Sequence, residues 1–201
     1  TQEMYEVNAC AAAYLHDKLK YFPDVMDVLR SRYSVESISR WELGYCPDGQ
    51  ELFEYLVKKK RFSFNAVKGA GIRSKLFDDR IIYPLKNLYG AVVGFGARVW
   101  GRTPEEEKQK KQKPDGTEEP KYSNTYATKI FQKSSQLYGL HIAREFVKQN
   151  EKTMLVVEGY PDVIAMHESG FNNCVGVMSA SFNITAAKSL ESVGVEKVLF
   201  C

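Results

Sequence analysis

The sequence predicts an α/β protein in which a basic subdomain of mixed helices and strands precedes part of a parallel sheet. Helical periodicity dominates the beginning of the 201 residues, and two strand-like runs follow in the middle. The last third alternates buried apolar runs with short helical segments, a pattern typical of parallel sheets with right-handed crossovers. We therefore expect one subdomain over residues 1–150 and a second, incomplete one over residues 151–201.

The N-terminal region is predicted to be helical. Apolar periodicity indicates one helix over residues 3–21, a second from Pro23 to about Arg32, and a third that Ser34 caps. A turn is expected over residues 45–49, and an amphipathic helix follows it.

The middle of the chain changes from helical to strand periodicity. Residues 80–85 and 91–99 are predicted strands, joined by a hairpin turn that ends at Gly90. Residues 101–120 are rich in charge and contain no aliphatic side chain, so we expect an exposed, mobile loop there. A helix is expected to follow, from Ser135 to Gln149.

The last third gives the clearest pattern. Buried strands are predicted at residues 154–157, 174–178 and 197–201, and helices at residues 160–169 and 185–192 separate them. A parallel sheet binds its ligands beyond the carboxyl ends of its strands. Glu158 follows the first strand directly, so it lies at that edge.

Composition excludes several classes of protein. With 44% hydrophobic and 26% charged residues the chain is in the range of ordinary globular proteins, and no apolar run reaches the length of a membrane span. The four cysteines lie far apart without a partner histidine at ligand spacing, which argues against a zinc site or a disulfide framework. Neither a Walker A nor a dinucleotide-binding glycine pattern occurs.

The charge is unevenly distributed along the chain. The net charge is only +3, but residues 55–102 carry eleven Lys and Arg against two acids, whereas residues 1–54 carry ten acids against five. Aromatic residues are interspersed in the basic stretch, a mixture that suits phosphate contacts with base stacking. A solvated basic face around a core explains the charge equally well.

Two acids near the predicted sheet edge suit divalent-metal chemistry. Glu158 ends the first buried strand, and Asp162 falls in the first turn of the helix that follows. Several carboxylates are needed for two-metal phosphoryl transfer, so further acids have to come from nearby loops. An ordinary turn residue and a charge at a helix N-terminus are the alternative interpretations.

The sequence LVVEGYPDVIA at residues 155–165 closely resembles the beginning of the Toprim fold of bacterial DnaG-type DNA primases, with Pro161 where that family more often has Met. Six further segments resemble successive motifs of the primase RNA polymerase domain, in the same order. They are GYCPDG at 44–49, DRIIYP at 79–84, GFGARV at 94–99, PKYSN at 120–124, FQK at 131–133 and LYGL at 137–140.

The resemblance implies synthesis of short RNA primers on a single-stranded DNA template from ribonucleoside triphosphates, through an RNA–DNA hybrid. It implies Mg²⁺ or Mn²⁺ as cofactor, with Glu158 as the catalytic and metal-binding Toprim acid and Asp162 close to the same centre. It places Lys121, Tyr122 and Lys133 toward the nucleotide and nascent strand, and Arg80, Asn124 and Arg98 along the template groove. Lysine and arginine neutralise phosphate charge, tyrosine stacks on a base, and asparagine hydrogen-bonds sugar or phosphate.

Parts of the family pattern are not found in these residues. The Asp-x-Asp motif expected after the third Toprim strand is absent, so we expect the fragment alone to be inactive. The resemblance implies a zinc module upstream, a helicase-binding region outside this chain, and a bacterial cytoplasmic protein of the primosome at the replication fork, with no membrane contact. Two alternatives stay open: the primase part of a phage or organellar primase-helicase, and a non-catalytic platform for single-stranded DNA.

Overall fold

The structure is a computed structural model that describes residues 1–73, 75–113, 115–178 and 182–201. It divides into two compact units, each formed from two stretches of chain. Unit 1 comprises Thr1–Leu85 and Val92–Ile130, and unit 2 comprises Lys86–Ala91 and Phe131–Cys201. Residues 131–150, which the sequence analysis assigns to the first subdomain, therefore pack within unit 2.

Three of the helices in the first half of unit 1 begin at residues whose side chains cap them. Ser34, Asp48 and Ser63 each accept a hydrogen bond from a backbone N–H of the first turn that follows, which satisfies a donor with no partner inside the helix. The predicted helical beginning is confirmed. The helices are α1 (Gln2–Lys18), α2 (Pro23–Arg30), α3 (Val35–Arg40), α4 (Gly49–Glu54) and α5 (Phe64–Gly69), with a π-helical turn after α4 at Tyr55–Lys59.

Four strands form the sheet of unit 1, in the order β1-β2-β3-β4. They are β1 (Gly44–Cys46), β2 (Arg80–Lys86), β3 (Val92–Val99) and β4 (Tyr122–Asn124). The predicted hairpin is confirmed: the Asn87 side chain accepts hydrogen bonds from the N–H groups of Tyr89 and Ala91, and Gly90 adopts a φ of 84°. The turn expected over residues 45–49 is wrong for its first half, because Tyr45 and Cys46 are buried and pair with β2.

Residues 104–111 form helix α6 (Pro104–Lys111), so the expectation of an exposed loop throughout residues 101–120 is wrong. The Thr103 hydroxyl accepts a hydrogen bond from the Glu106 N–H, and Pro104 occupies the first helical turn. Three glutamates lie in the first turn and three lysines in the last, which complements the helix dipole at both ends. Capping and charge therefore form a helix without any buried apolar side chain.

Unit 2 is a mixed sheet of order β5-β7-β6-β8, flanked by helices. The strands are β5 (Leu137–Tyr138), β6 (Thr153–Val157), β7 (Cys174–Val177) and β8 (Lys197–Phe200), and the helices are α7 (Leu140–Ala143), α8 (Tyr160–Glu168) and α9 (Ile184–Ser192). Both β7 and β8 run parallel to β6, which confirms the predicted parallel sheet. The single helix expected from Ser135 to Gln149 is wrong, because Leu137 and Tyr138 join the sheet and Gly139 takes a left-handed φ of 86°.

Each unit has its own apolar core. In unit 1 the buried side of α1 packs on residues of β2 and β3, and in unit 2 α9 covers β6 and β7. Cys46 and Cys174 are buried free thiols, and burial raises the pKa of each to about 12. Within the described ranges, no helix is both long enough and apolar enough to cross a membrane.

Gly71 provides a test of the packing in unit 1. Its φ is +85°, and a Cβ placed there would lie 2.2 Å from Cγ2 of Thr125. We expect Gly71→Ala to lower the free energy of unfolding by about 2 kcal/mol or more, since it combines an unfavourable backbone conformation with overpacking. Urea denaturation followed by circular dichroism measures the change.

Gly116→Ala is the matched control for this substitution. Gly116 has a φ of +81° but no heavy atom within 4 Å of its hypothetical Cβ. The control should therefore lose only the backbone contribution, about 1 kcal/mol. Equal losses in the two variants would contradict the packing argument.

Candidate functional site

Glu158 lies at the carboxyl edge of the parallel sheet in unit 2. It follows β6 directly, and its side chain is exposed. In the strand register Val157 is opposite Gly176 of β7, and Val156 is opposite Phe200 of β8. All three parallel strands therefore end on the side of the sheet where Glu158 is.

Two glycines bring helix α8 close to this edge. A Cβ on Gly176 would lie 2.9 Å from Cγ2 of Val163, and a Cβ on Gly159 would lie 2.8 Å from Oδ2 of Asp162. Since neither position carries a side chain, the first turn of α8 packs directly against β7, and the Asp162 carboxylate lies over the turn that follows Glu158. Asp162 is also exposed. The fold thus brings the two predicted acids to one corner of unit 2.

Lys133 is placed at the same edge by the antiparallel strand β5. Leu137 of β5 is opposite Val177, the last residue of β7, so the residues before Leu137 extend beyond the carboxyl end of β7. Asn183, the N-cap of α9, donates a hydrogen bond of 2.8 Å to the Ser134 carbonyl and fixes this segment. The exposed Lys133 is therefore on the side of the sheet that carries Glu158.

The described residues do not by themselves form a complete metal centre. No group of three or more His, Cys, Asp or Glu side chains in the described part of the chain is arranged to hold a metal ion. Glu158 and Asp162 supply carboxylate oxygens, the ligands that Mg²⁺ prefers, but two exposed acids fall short of the number that two-metal chemistry uses.

The other five predicted site residues lie in unit 1: Arg80 begins β2, Arg98 is on β3, and Lys121, Tyr122 and Asn124 are on or directly before β4. The register places Arg98 opposite Tyr122 and Gly96 opposite Asn124. Because alternate residues of a strand share a face, Arg98, Tyr122 and Asn124 are on one face of this strand pair. Asn124 is half-buried, whereas Tyr122 is 36% exposed.

Arg98 is buried, and each of its three guanidinium nitrogens has a partner. Its Nε donates to the Tyr122 hydroxyl at 3.2 Å, and Nη1 donates to the Val99 carbonyl at 3.0 Å. Its Nη2 forms an ion pair of 2.7 Å with Oε1 of Glu107 on helix α6. A buried guanidinium needs such partners, because an unpaired charge away from water is strongly destabilising.

Arg80 is also buried, and it fixes the chain that leads into β4. Its Nη1 donates to the carbonyls of Pro120 and Lys121, at 3.1 and 3.4 Å, and its Nη2 pairs with Glu119 at 2.9 Å. These bonds set the path of residues 119–121. Lys121, next along, has a half-exposed side chain.

Glu107 and Arg32 are at this site although the sequence analysis did not identify either of them. Oε1 of Glu107 lies 3.4 Å from Nη2 of Arg32, and Oε2 lies 3.5 Å from Nζ of Lys121. Burial by itself would raise the pKa of the Glu107 carboxyl, but the charges of Arg98 and Lys121 outweigh it, so this pKa lies below its ordinary value. No local motif signals these contacts, since Arg32 and Glu107 are 75 positions apart in sequence.

A second feature of unit 1 is a cleft of about 560 Å³ lined by α4, α5 and the residues after α5. None of the predicted site residues lines it. The Lys68 ammonium lies 4.5 Å from the centre of the Phe64 ring, which is a cation–π distance. The lining residues are Gln50, Phe53, Phe64, Lys68, Ile72 and Arg73.

Comparison with protein families shows which family this chain belongs to. The family model described as "DNA primase catalytic core, N-terminal domain" matches residues 14–144. The chain belongs to this primase family. A Toprim domain model matches residues 152–201. The two matched ranges together cover most of this chain.

Individual relatives agree with this assignment. The DNA primase of Deinococcus radiodurans is 33% identical over 209 aligned residues, which cover 99% of this chain and 34% of that protein. The RNA polymerase domain of Mycobacterium tuberculosis primase DnaG has a TM-score of 0.84 at 25% identity and covers 100% of this chain and 66% of that one. A DnaG primase catalytic domain solved bound to single-stranded DNA gives 0.77 at 25% identity, over 100% and 61%.

These findings confirm the resemblance that the motifs predict, and they confirm the fold class. The chain spans about a third of the length of the curated relatives it matches. The family assignment therefore concerns the catalytic-core region, and the activity of a whole protein is a separate inference.

The stabilising effect of Glu107 is expected to depend on pH. An acid whose folded pKa is lowered stabilises the fold above its unfolded pKa, and this contribution is lost as the pH falls through the folded pKa. We expect wild type to be about 1 kcal/mol more stable than Glu107→Gln at pH 7, and the difference to shrink as the pH falls below the ordinary glutamate pKa of about 4.3.

Urea denaturation of both proteins between pH 3 and pH 7 measures this difference. Glu105→Gln is the control, because Glu105 is an exposed acid on the same helix with no ion pair among the described residues. It should change stability little at any pH. A gap between wild type and Glu107→Gln that persists unchanged at pH 3 would contradict the assignment.

Proposed function

We propose that this chain is the catalytic-core region of a protein that synthesises short RNA primers on single-stranded DNA from ribonucleoside triphosphates. The observation that carries the proposal is the match of the whole chain, in fold and in order of motifs, to the RNA polymerase domain of a bacterial primase. Nucleotidyl transfer joins a primer 3′-hydroxyl to the α-phosphate of a nucleotide and releases pyrophosphate.

The β3–β4 face of unit 1 is proposed to bind the template and the nascent strand. Lys121 and Tyr122 are exposed at its border, and a cation beside an aromatic ring suits a phosphate with its stacked base. Arg80 supports this face by fixing residues 119–121, which lead into β4. A related catalytic domain was solved with single-stranded DNA bound, which supports DNA as the ligand. Arg98 and Asn124 complete the proposed template contacts.

The carboxyl edge of unit 2 is proposed to perform the transfer. Glu158 and Asp162 would supply the first carboxylates for a divalent cation, Mg²⁺ or Mn²⁺, which would stabilise the charge on the pyrophosphate leaving group. The remaining acids would come from residues that follow β8, because β8 ends at the same edge. Lys133, on this side of the sheet, would neutralise triphosphate charge.

A non-catalytic platform for single-stranded DNA is the second candidate. It differs from the polymerase in its acids: in the described residues, Glu158 and Asp162 have no third carboxylate arranged with them, and this candidate needs none. Both candidates predict DNA binding that weakens with salt. Only the polymerase predicts that divalent cations and nucleotides strengthen that binding in the full-length protein.

The context of the full-length protein follows from the same proposal. It would act in the bacterial cytoplasm at the replication fork, with a zinc module preceding this region and a helicase-binding region elsewhere. A primase-helicase differs by a P-loop domain downstream, and the sequence of the complete gene distinguishes the two arrangements.

Glu158→Gln in the full-length protein tests the proposed catalytic role. We expect primer synthesis on a single-stranded template to fall by at least about 100-fold, because the variant loses a carboxylate proposed to hold the divalent cation that stabilises the transition state. Single-stranded DNA affinity should be unchanged.

Glu191→Gln removes an equally exposed acid from helix α9 of the same unit and serves as the control. It should retain wild-type synthesis. Wild-type rates in Glu158→Gln would refute the metal-binding role, and loss of DNA affinity in that variant would show that Glu158 acts in folding or binding instead.

Lys121→Ala tests the proposed nucleic-acid face. Removing one phosphate contact should weaken binding of a short single-stranded oligonucleotide and reduce the slope of log Kd against log salt concentration by about 0.7. Fluorescence anisotropy across a salt series measures both quantities. Lys129→Ala is the control, since Lys129 is an exposed lysine of the same unit that no motif assigns to the site; equal effects of the two variants would make Lys121 an ordinary surface lysine.

A further inference from the structure

Helix α6 inserts an acid into the cationic part of the proposed nucleic-acid face. Its Glu107 carboxylate contacts three cations at once: Arg98 at 2.7 Å, Arg32 at 3.4 Å and Lys121 at 3.5 Å. The side chain of Glu107 is only 13% exposed, whereas those of Arg32 and Lys121 are 34% and 48% exposed. The cations therefore surround the carboxylate, and two of them also face solvent.

A second acid from the same segment pairs with the second buried arginine. Glu119, just before β4, lies 2.9 Å from Arg80. The segment 101–120 thus supplies an acid to each of the two arginines that the motifs assign to the template groove. A single contact of this kind would be an ordinary ion pair. Here one segment neutralises both buried arginines of the proposed nucleic-acid face.

Helix α6 is also held from its other end. The Lys110 ammonium lies 3.2 Å from Oδ2 of Asp79 and 3.4 Å from the centre of the Trp100 ring. Asp79 is itself fixed, because its Oδ1 accepts hydrogen bonds from the Tyr45 hydroxyl and the Trp100 indole. These contacts attach this end of α6 through one partly buried lysine rather than through buried apolar area, since no α6 residue is fully buried.

Charge arithmetic shows what the cluster can bind. Three cations and one carboxylate have a net charge of +2, so Glu107 neutralises only one of the three positive charges. A phosphodiester carries the same single negative charge as the carboxylate and two oxygens at similar spacing, and arginine binds both groups in the same bidentate manner. A backbone phosphate can therefore replace Glu107 at these three cations.

We propose that Arg32, Arg98 and Lys121 form a phosphate-binding site for single-stranded DNA, and that Glu107 of helix α6 occupies this site as an internal competitor that the DNA displaces. The proposal rests on the proposed function and adds two things to it: Arg32 as a binding residue, and α6 as a segment that tunes DNA affinity. Because Glu107 also stabilises Arg98 in the absence of DNA, its removal should lower stability and raise affinity together.

The test compares binding of a fluorescein-labelled single-stranded oligonucleotide to wild type, Glu107→Gln and Glu105→Gln. We expect Glu107→Gln to bind roughly two- to fivefold more tightly, the range expected when a partly exposed ion pair no longer competes. Its slope of log Kd against log salt should steepen by about 0.7, the value for one additional phosphate contact. Glu105→Gln changes the net charge equally without touching the cations, so it should match wild type in slope.

Lys110→Gln provides a second variant that leaves Glu107 and all three cations in place. Removing a positive charge by itself weakens DNA binding. The substitution also removes the Lys110 contacts that hold α6, so Glu107 should be displaced more easily and DNA binding should become tighter. This variant decides the question if Glu107→Gln fails to fold.

The outcomes separate this proposal from the proposed function. If wild type binds DNA but Glu107→Gln binds no more tightly than Glu105→Gln, or Lys110→Gln binds more weakly than wild type, the competitor role is refuted and the DNA-binding function stands. If neither wild type nor Glu107→Gln binds single-stranded DNA, the DNA-binding function itself fails.

Discussion

The parallel ladder of β7, β6 and β8 decides where unit 2 can perform chemistry. Hydrogen bonding on both sides of β6 brings three strand ends to one edge, and the residue that follows β6 is Glu158. At the strand ends the backbone groups are not all hydrogen-bonded to neighbouring strands, and the loops there can hold acidic and basic side chains at fixed positions. Glycines at 159 and 176 then allow helix α8 to approach, which places Asp162 beside the same turn.

Unit 1 is organised by compensation of buried positive charge. Arg80 and Arg98 are 4% and 5% exposed, and both bond to backbone carbonyls and to an acid from the 101–120 segment. Burying a guanidinium is favourable only when its donors are satisfied, so these contacts hold β3, β4 and α6 together. The same positive charge that needs compensation in the free protein is available to phosphate in a complex, which connects the stability of this unit with its proposed function.

Local signals predicted most of the fold. Caps such as Ser34, the glycine of the Asn87–Gly90 turn and the alternation of apolar strands with helices after residue 150 each depend on neighbours in sequence. The predictions that were wrong concern segments in which distant contacts or compensating charges override composition. Residues 45 and 46 became a strand because β2 lies alongside, Leu137 and Tyr138 joined a sheet rather than a helix, and α6 formed from polar residues alone.

The sequence by itself determined the family and the fold class, because ordered motifs and apolar periodicity are properties of the chain. Only the tertiary structure decided that Arg80 and Arg98 are buried and paired rather than exposed, and that Arg32 and Glu107, 75 positions apart, meet at one site. The physical reason is that electrostatic energy depends on distance and on exposure to water, and neither quantity can be read from spacing along the chain.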